Sequence, residues 1–269
     1  MPPSLNYLRR CADTLTSGEG LSIDVWELGG PVSPADLSGW ARHFRQHYCP
    51  DAEIDALRAG TSFSRADYMV NLVFPDATTA PGPSIRSGDF AEILISDYVE
   101  HVLRYWVPRG KYAEKASRDE SVKGVDILGF RMMLAPTHAP ADELLTFEVK
   151  AELSGGAYSG ALQKAVTDSA KDYLRSAITL NATKRRLIRA GAQESALVVE
   201  RFQNKDDRPF VFKCGAGAVL SDLAYDEAGV RSVSAVSHQN VANLQLLVVK
   251  GAHLMALVRS LFQTAANEA

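Results

Sequence analysis

The 269-residue chain is long enough for one large domain or two small ones, and its 46% hydrophobic and 23% charged residues exclude a disordered or low-complexity polymer. A formal net charge of −3 excludes a protein that coats nucleic acid by charge alone, while leaving room for an enzyme that touches DNA through a small patch or is loaded onto it by a partner. No apolar run nears the roughly 18 residues of a membrane span.

The opening MPPSLNYLRRCADTL has no apolar core of signal-peptide length, so secretion is not expected. Cys11, Cys49 and Cys214 are scattered without pairing or metal spacing, which fits free thiols and a cytoplasmic location. LSIDVWEL (21–28) reads as a strand, followed by the turn Gly29-Gly30-Pro31. Ser33 and Pro34 then place a cap and a first-turn proline before the helix ADLSGWARHFRQHY. DAEIDALRAG is a short helix stopping at Gly60, and ADYMVNLVF (66–74), rich in β-formers, reads as a strand. Residues 1–75 thus form an N-terminal mixed α/β region. PDATTAPGPSIRSG (75–88) holds three prolines and two glycines, so 76–88 is expected to be a linker and 89–269 a second domain.

GDFAEILISDYVEHVLRYW reads as a helix that is apolar around most of its circumference. KYAEKAS, VDILGFRMML and LLTFEVKAEL are strand candidates at hairpin-like spacing. In the last (144–153), Leu145, Phe147, Val149, Ala151 and Leu153 share one face and Thr146, Glu148, Lys150 and Glu152 the other, the pattern of a half-buried strand. A long helix is expected over 158–189, with Leu162, Val166, Tyr173, Leu174 and Ile178 along its apolar stripe. SALVVERF and FVFKCGAGAVL are further strand candidates, and the strand LQLLVVKG runs into the helix AHLMALVRSLFQTA. The fold class expected is α/β: a mixed central sheet flanked by helices, with the N-terminal region packed against it. No internal repeat is visible.

The chemistry concentrates on two of these strands. Gly124 permits a tight approach to VDILGF, so Asp126 stands at the mouth of one strand, and Glu148 and Lys150 share a face of the next. In hairpin-linked strands these three can converge. Two carboxylates and a few waters suit octahedral Mg²⁺, and a lysine beside them can orient an attacking water and offset transition-state charge. Glu92, on the preceding helix, is the candidate third carboxylate.

The series GDFAEIL…KGVDILGF…TFEVKAE resembles the PD-(D/E)xK, restriction-endonuclease-like nuclease core: a helical Glu, a strand-start Asp, a Glu-x-Lys strand and a long helix. More narrowly, residues 85–265 or so resemble the nuclease subunit family of the Hachiman anti-phage defence system, down to the closing LQLLVVKGAHLMALVRSLFQTA. The resemblance implies a metal-dependent DNA nuclease held in complex with a large helicase-type ATPase. It makes Glu92, Asp126 and Glu148 the ligands of Mg²⁺ (or Mn²⁺), helped by the Val149 carbonyl, and Lys150 the residue that positions water. Val125 replaces the proline of the signature, and Gln163 stands where some members of the superfamily place a glutamine.

Blander readings stand beside these. Glu-x-Lys arises on any solvated strand face, an aspartate often serves only as a turn or cap, and Glu92, Ser96, Glu100 and Arg104 form a four-residue stripe that suits solvent. Glu152 is a solvated neighbour of the pair or lies near the metal. Lys111, Lys115 and Lys123 read first as surface charges, and Lys184, Arg185, Arg186 and Arg189 as complements to a helix dipole or as contacts to DNA or a partner. Gly215-x-Gly217 reads as a strand-end turn rather than a dinucleotide loop. No histidine pair is read as zinc ligands, and His138, His238 and His253 show no Ser or Cys constellation, so a hydrolase of the nucleophilic type is not supported. A non-catalytic binding or bridging subunit and an RNA-directed nuclease remain as alternatives.

Overall fold

Alternation organises the N-terminal strands. In the computed structural model, which describes residues 1–269, Leu8–Arg10 (β1) and Leu15–Thr16 (β2) pair antiparallel with Ser22–Leu28 (β3), which buries Ile23, Val25 and Leu28. Helix α1 (Pro34–Gln46) starts where the Ser33 hydroxyl accepts the Asp36 N–H at 3.1 Å, and it buries Trp40 and Phe44. Helix α2 (Ile54–Arg58) is followed by Gly60 in the left-handed region, at φ +84°.

The expected strand at 66–74 is helical instead. Arg65–Tyr68 (α3) is capped by Ser64 and continues into a π-helical turn, Met69–Val73, closed by Phe74 N–H donating to Met69 O at 2.7 Å. Met69 and Phe74, five residues apart, are fully buried while Val70 and Leu72 are exposed, so burial there does not follow a strand's period of two. Residues 82–88, expected as linker, open helix α4 (Gly82–His101). KYAEKAS forms no strand, only a 3₁₀ turn at Tyr112–Glu114.

Strands β4 (Ile127–Arg131) and β5 (Glu143–Glu152) are antiparallel neighbours. The expected long helix is two, α5 (Ala161–Ser169) and α6 (Asp172–Arg189). SALVVER lies in helix α7 (Gln193–Arg201) with Phe202 as its C-cap, because Ala196, Val199 and Phe202 are buried at three-residue intervals. Strand β6 (Val211–Ser221), helix α8 (Glu227–Arg231), strand β7 (Leu244–Gly251) and helix α9 (Leu254–Asn267) complete the chain.

The strands form one seven-stranded mixed sheet in the order β1-β3-β7-β6-β5-β4, with β2 also on β3. The three central pairings are parallel, and helical crossovers make them possible. Because β3 pairs with β7, the N-terminal region and the C-terminal part of the chain share one sheet. Side chains alternate across it. Phe147, Val149, Leu247 and Val249 pack with α1, α4 and α9 on one face, while Ala216, Ala218, Leu246 and Val248 meet α5 on the other. Leu128, Phe130 and Leu144 join Leu180, Val199 and Phe202 in a third cluster beneath α6 and α7.

Two sequence readings change here. Gly215 and Gly217 are not in a strand-end turn but inside β6, where a Cβ on Gly215 would lie 2.1 Å from the Phe147 ring. The polar face of β5 is also covered: Thr146 is fully buried and Glu148 only 2% exposed.

Candidate active site

Strand pairing assembles the site. The register Ile127↔Phe147 carries Asp126, one residue further, alongside Glu148, and the Asp126 carboxylate accepts the Val149 N–H at 2.9 Å. Glu92 arrives from α4. Its carboxylate takes a hydrogen bond from the Tyr112 hydroxyl at 2.9 Å and an ion pair from Lys111, whose ammonium also donates to the main-chain oxygen of Asp126 at 2.5 Å. The N-terminal end of the Glu92–Arg104 stripe therefore faces the protein rather than solvent. Glu148 lies within reach of Arg175 Nη1 at 3.5 Å and Lys150 Nζ at 3.7 Å. Lys150 in turn contacts Asp168 at 2.8 Å.

Too few cations compensate this cluster. Burial, with the Glu92 and Glu148 charges added, pushes Asp126 well above the ordinary carboxyl range. Burial and the neighbouring Asp172 push Glu148 up to about 7. Asp172 is fully buried, neither of its oxygens has a hydrogen-bond partner, and burial raises it to about 7 as well. For Lys111, burial disfavours the charge, but the Glu92 and Asp126 carboxyls outweigh it and hold the ammonium above its usual range. Lys150 is raised likewise, with burial overcome chiefly by Asp168. A cavity of about 100 Å³ opens beside Lys111, Tyr112 and Asp126.

The four expected residues thus gather around the adjoining ends of β4 and β5, with Glu92 joined to Asp126 through Lys111. Their oxygens do not close into a compact cage: Glu92, Asp126 and Glu148 are not all within 4.8 Å of one another. The donor set still fits a hard cation, because orphaned and proton-raised carboxyls are what an oxygen-preferring metal relieves.

Several contributors escaped the sequence reading. Asp172, Arg175 and Asp168 come from the start of α6 and the end of α5, where an unbroken helix was expected. Lys111 and Lys115 are not surface charges; Lys115 pairs with buried Asp89 at 2.5 Å, and Tyr48 donates to the same oxygen at 2.6 Å. Of the basic run, Lys184 pairs with Glu200 and Arg186 with Glu114. Gln163 is committed elsewhere, its amide holding both the N–H and the carbonyl of Ser234. Glu152 binds the Ser159 hydroxyl and N–H.

His238 does stand 3.1 Å from Ser169 Oγ, contrary to expectation. Its Nδ1 accepts the Asn240 N–H, which leaves the proton on Nε2 facing the serine. The ring is therefore a donor there and not a base, and Ser169 donates to Val166 O.

No helix is long and apolar enough to cross a membrane. No curated protein matches the chain. The HamA family model matches residues 5–265, spanning the N-terminal strands as well as the carboxylate cluster. The chain belongs to the HamA family and so to the Hachiman anti-phage defence system.

Proposed function

We propose that the chain is a metal-dependent nuclease that hydrolyses DNA phosphodiester bonds, with Asp126 and Glu148 as the core of its metal site. The observation that carries this reading is the side-by-side placement of these two carboxyls, Glu148 buried and Asp126 half-buried, both raised in pKa, with Lys150 on the same strand face as Glu148. Glu92 completes the ligand set when Lys111 leaves its carboxylate, and the Val149 carbonyl adds a donor. Bound there, Mg²⁺ (or Mn²⁺) supplies Lewis-acid stabilisation of charge on the phosphoryl oxygens and acidifies a water.

The chain's own groups do the rest. Glu148 must be ionised to bind the cation. Lys150, drawn from Asp168 towards the scissile group, orients the attacking water and offsets developing charge. Arg175 keeps Glu148 in place and lends a second positive charge. Cleavage leaves 3′-hydroxyl and 5′-phosphate ends.

Control by a helicase-type ATPase partner completes the proposal. The net charge of −3 gives little independent hold on DNA. Helix α6, whose first turn supplies Asp172 and Arg175, exposes Tyr173, Leu174 and Ile178 beside the site, an apolar stripe suited to a protein partner.

The deciding experiment is cleavage of supercoiled plasmid with Mg²⁺ by the wild-type chain, Glu148→Ala and Lys150→Ala, each alone and with the partner ATPase and ATP. Nicking by the wild type and loss in both variants is expected, and structured RNA run alongside should stay intact. A wild type inert under both conditions sinks the nuclease reading in favour of a bridging role.

A further inference from the structure

Away from the carboxylate cluster, three ligand-bearing side chains converge between α1 and α4. His43, on the last turn of α1, and His47, the residue that caps its C-terminus, stand one turn apart and meet Asp97 of α4. His43 Nε2 lies 3.1 and 3.2 Å from the two Asp97 oxygens and 3.3 Å from His47 Nε2. One ligand atom from each of the three falls within 4.8 Å of the others, and no other trio of His, Cys, Asp or Glu side chains in the chain does this. Asp97 is fully buried and His47 nearly so, whereas the His43 side chain is 28% exposed, which leaves a path from solvent. The sequence reading passed over this pair, although a four-residue spacing on a helix puts two imidazoles on one face.

The three side chains crowd their donor atoms into one small volume: the two Nε2 atoms face each other, and both Asp97 oxygens lie beside His43 Nε2, so a single cation seated there would be reached by all three residues. The surroundings also orient a ligand: Asp97 Oδ1 accepts from Arg109 and Oδ2 from the Ser4 hydroxyl, both at 3.0 Å. Arg109 shares its charge with Glu100 at 2.5 Å, so the neighbourhood stays net negative.

We infer that His43, His47 and Asp97 form a zinc-binding site that pins α1 to α4. A tetrahedral zinc with bonds of about 2.0–2.1 Å has ligand-to-ligand edges of about 3.3 Å, close to the 3.1–3.3 Å separations here. Two imidazoles and one carboxylate select a transition ion over Mg²⁺, and three protein ligands leave one position for water. The chain therefore holds two sites of different metal class, a hard-cation site on the sheet and a zinc site between helices.

The test uses the full chain carrying Glu148→Ala, which weakens competing binding at the carboxylate cluster. After chelator stripping it is titrated with Co²⁺, a spectroscopic probe for zinc. One equivalent should bind with the visible bands of four-coordinate cobalt and be displaced by Zn²⁺, and Zn²⁺ should raise the melting temperature. Adding His43→Ala, the partly exposed ligand, should weaken Co²⁺ binding by roughly 100-fold or more while the circular dichroism stays that of the parent; Asp97→Asn should weaken it too. Absence of visible bands in the parent, or undiminished Co²⁺ affinity in folded His43→Ala, overturns the site.

Discussion

Glu148 and Asp172 share one shortage of positive charge, and it makes the metal-free chain sensitive to pH. Their reference values are 4.5 and 3.8, and both are pushed up to about 7 in the fold. Between about pH 4 and 7 the folded state keeps protons that the unfolded chain has released. Their contribution to stability is thus complete below about pH 4 and is lost as the pH rises through 7. The melting temperature of the metal-free chain should fall from pH 5 to pH 8, and Mg²⁺ should restore it at pH 8 but not at pH 5. Asp172→Asn removes one of the two groups and should raise the pH 8 melting point by about 2–4 °C, the shift that about 1 kcal/mol produces in a chain of comparable size; a pH profile parallel to wild type would refute the pairing. The same substitution removes the like charge that raises Glu148, so the acid limb of the Mg²⁺-dependent cleavage profile should move to lower pH. Lys111 acts in the opposite sense, because its ammonium neutralises Glu92. Lys111→Met should lower the Mg²⁺ concentration for half-maximal binding several-fold by calorimetry; unchanged or weaker binding would mean that Glu92 is not a ligand held in reserve.

Strand β5 was readable in LLTFEVKAEL because its apolar residues alternate, and α1 because Ser33-Pro34 announces its start. The same reasoning, joined to the family resemblance, picked Glu92, Asp126, Glu148 and Lys150 as site candidates, and the strand register sets Asp126 beside Glu148. What it missed depends on long-range partners. MVNLV and ALVVE are built from β-formers, yet Met69, Phe74 and Val199 are placed by burial against other elements, and local propensity cannot see those surfaces. Lys111 and Asp172 were illegible for a related reason: their role comes from carboxyls about 20 residues away or more. The glycines of β6 show the same dependence. Phe147, between Thr146 and Glu148, lies over Gly215 and Gly217, where added Cβ atoms would come within 2.1 and 2.9 Å of its ring. Gly215→Ala should cost about 1–3 kcal/mol by overpacking, read by denaturant unfolding, and should cut cleavage by moving the strand that carries Glu148. Phe147→Leu in the same chain should recover part of the stability. A Gly215→Ala chain as stable and active as wild type would show that the ring has room to yield.

At the scale of the whole molecule, one sheet from β1 to β4 joins the N-terminal region to the site-bearing strands, and the helices on its two faces are unequal in what they leave uncovered. Helix α6 is inverted relative to an ordinary surface helix. Inward it buries Asp172, Ser176 and Thr183 with Leu180, while Tyr173, Leu174 and Ile178 are 63%, 78% and 73% exposed. The sequence stripe that included these three residues was expected to face the core. An apolar face turned outward gains little from the fold of the free chain, Tyr173 keeping an edge contact with the Phe212 ring, and on the proposed function it is the seat of the partner subunit. A subunit seated there would press on the turn that supplies Asp172 and Arg175, placing access to Glu148 under its control. Leu174→Glu with Ile178→Glu should therefore change the stability of the free chain by no more than about 0.5 kcal/mol per site, as for other exposed positions. The same pair of changes should weaken binding to the partner at least tenfold, which corresponds to about 1.4 kcal/mol. Affinity measured by biolayer interferometry with immobilised partner, alongside a melt of each free chain, separates the two effects. Equal affinity for wild type and the double variant would move the interface elsewhere and leave the exposed stripe of α6 without a role in the proposed control.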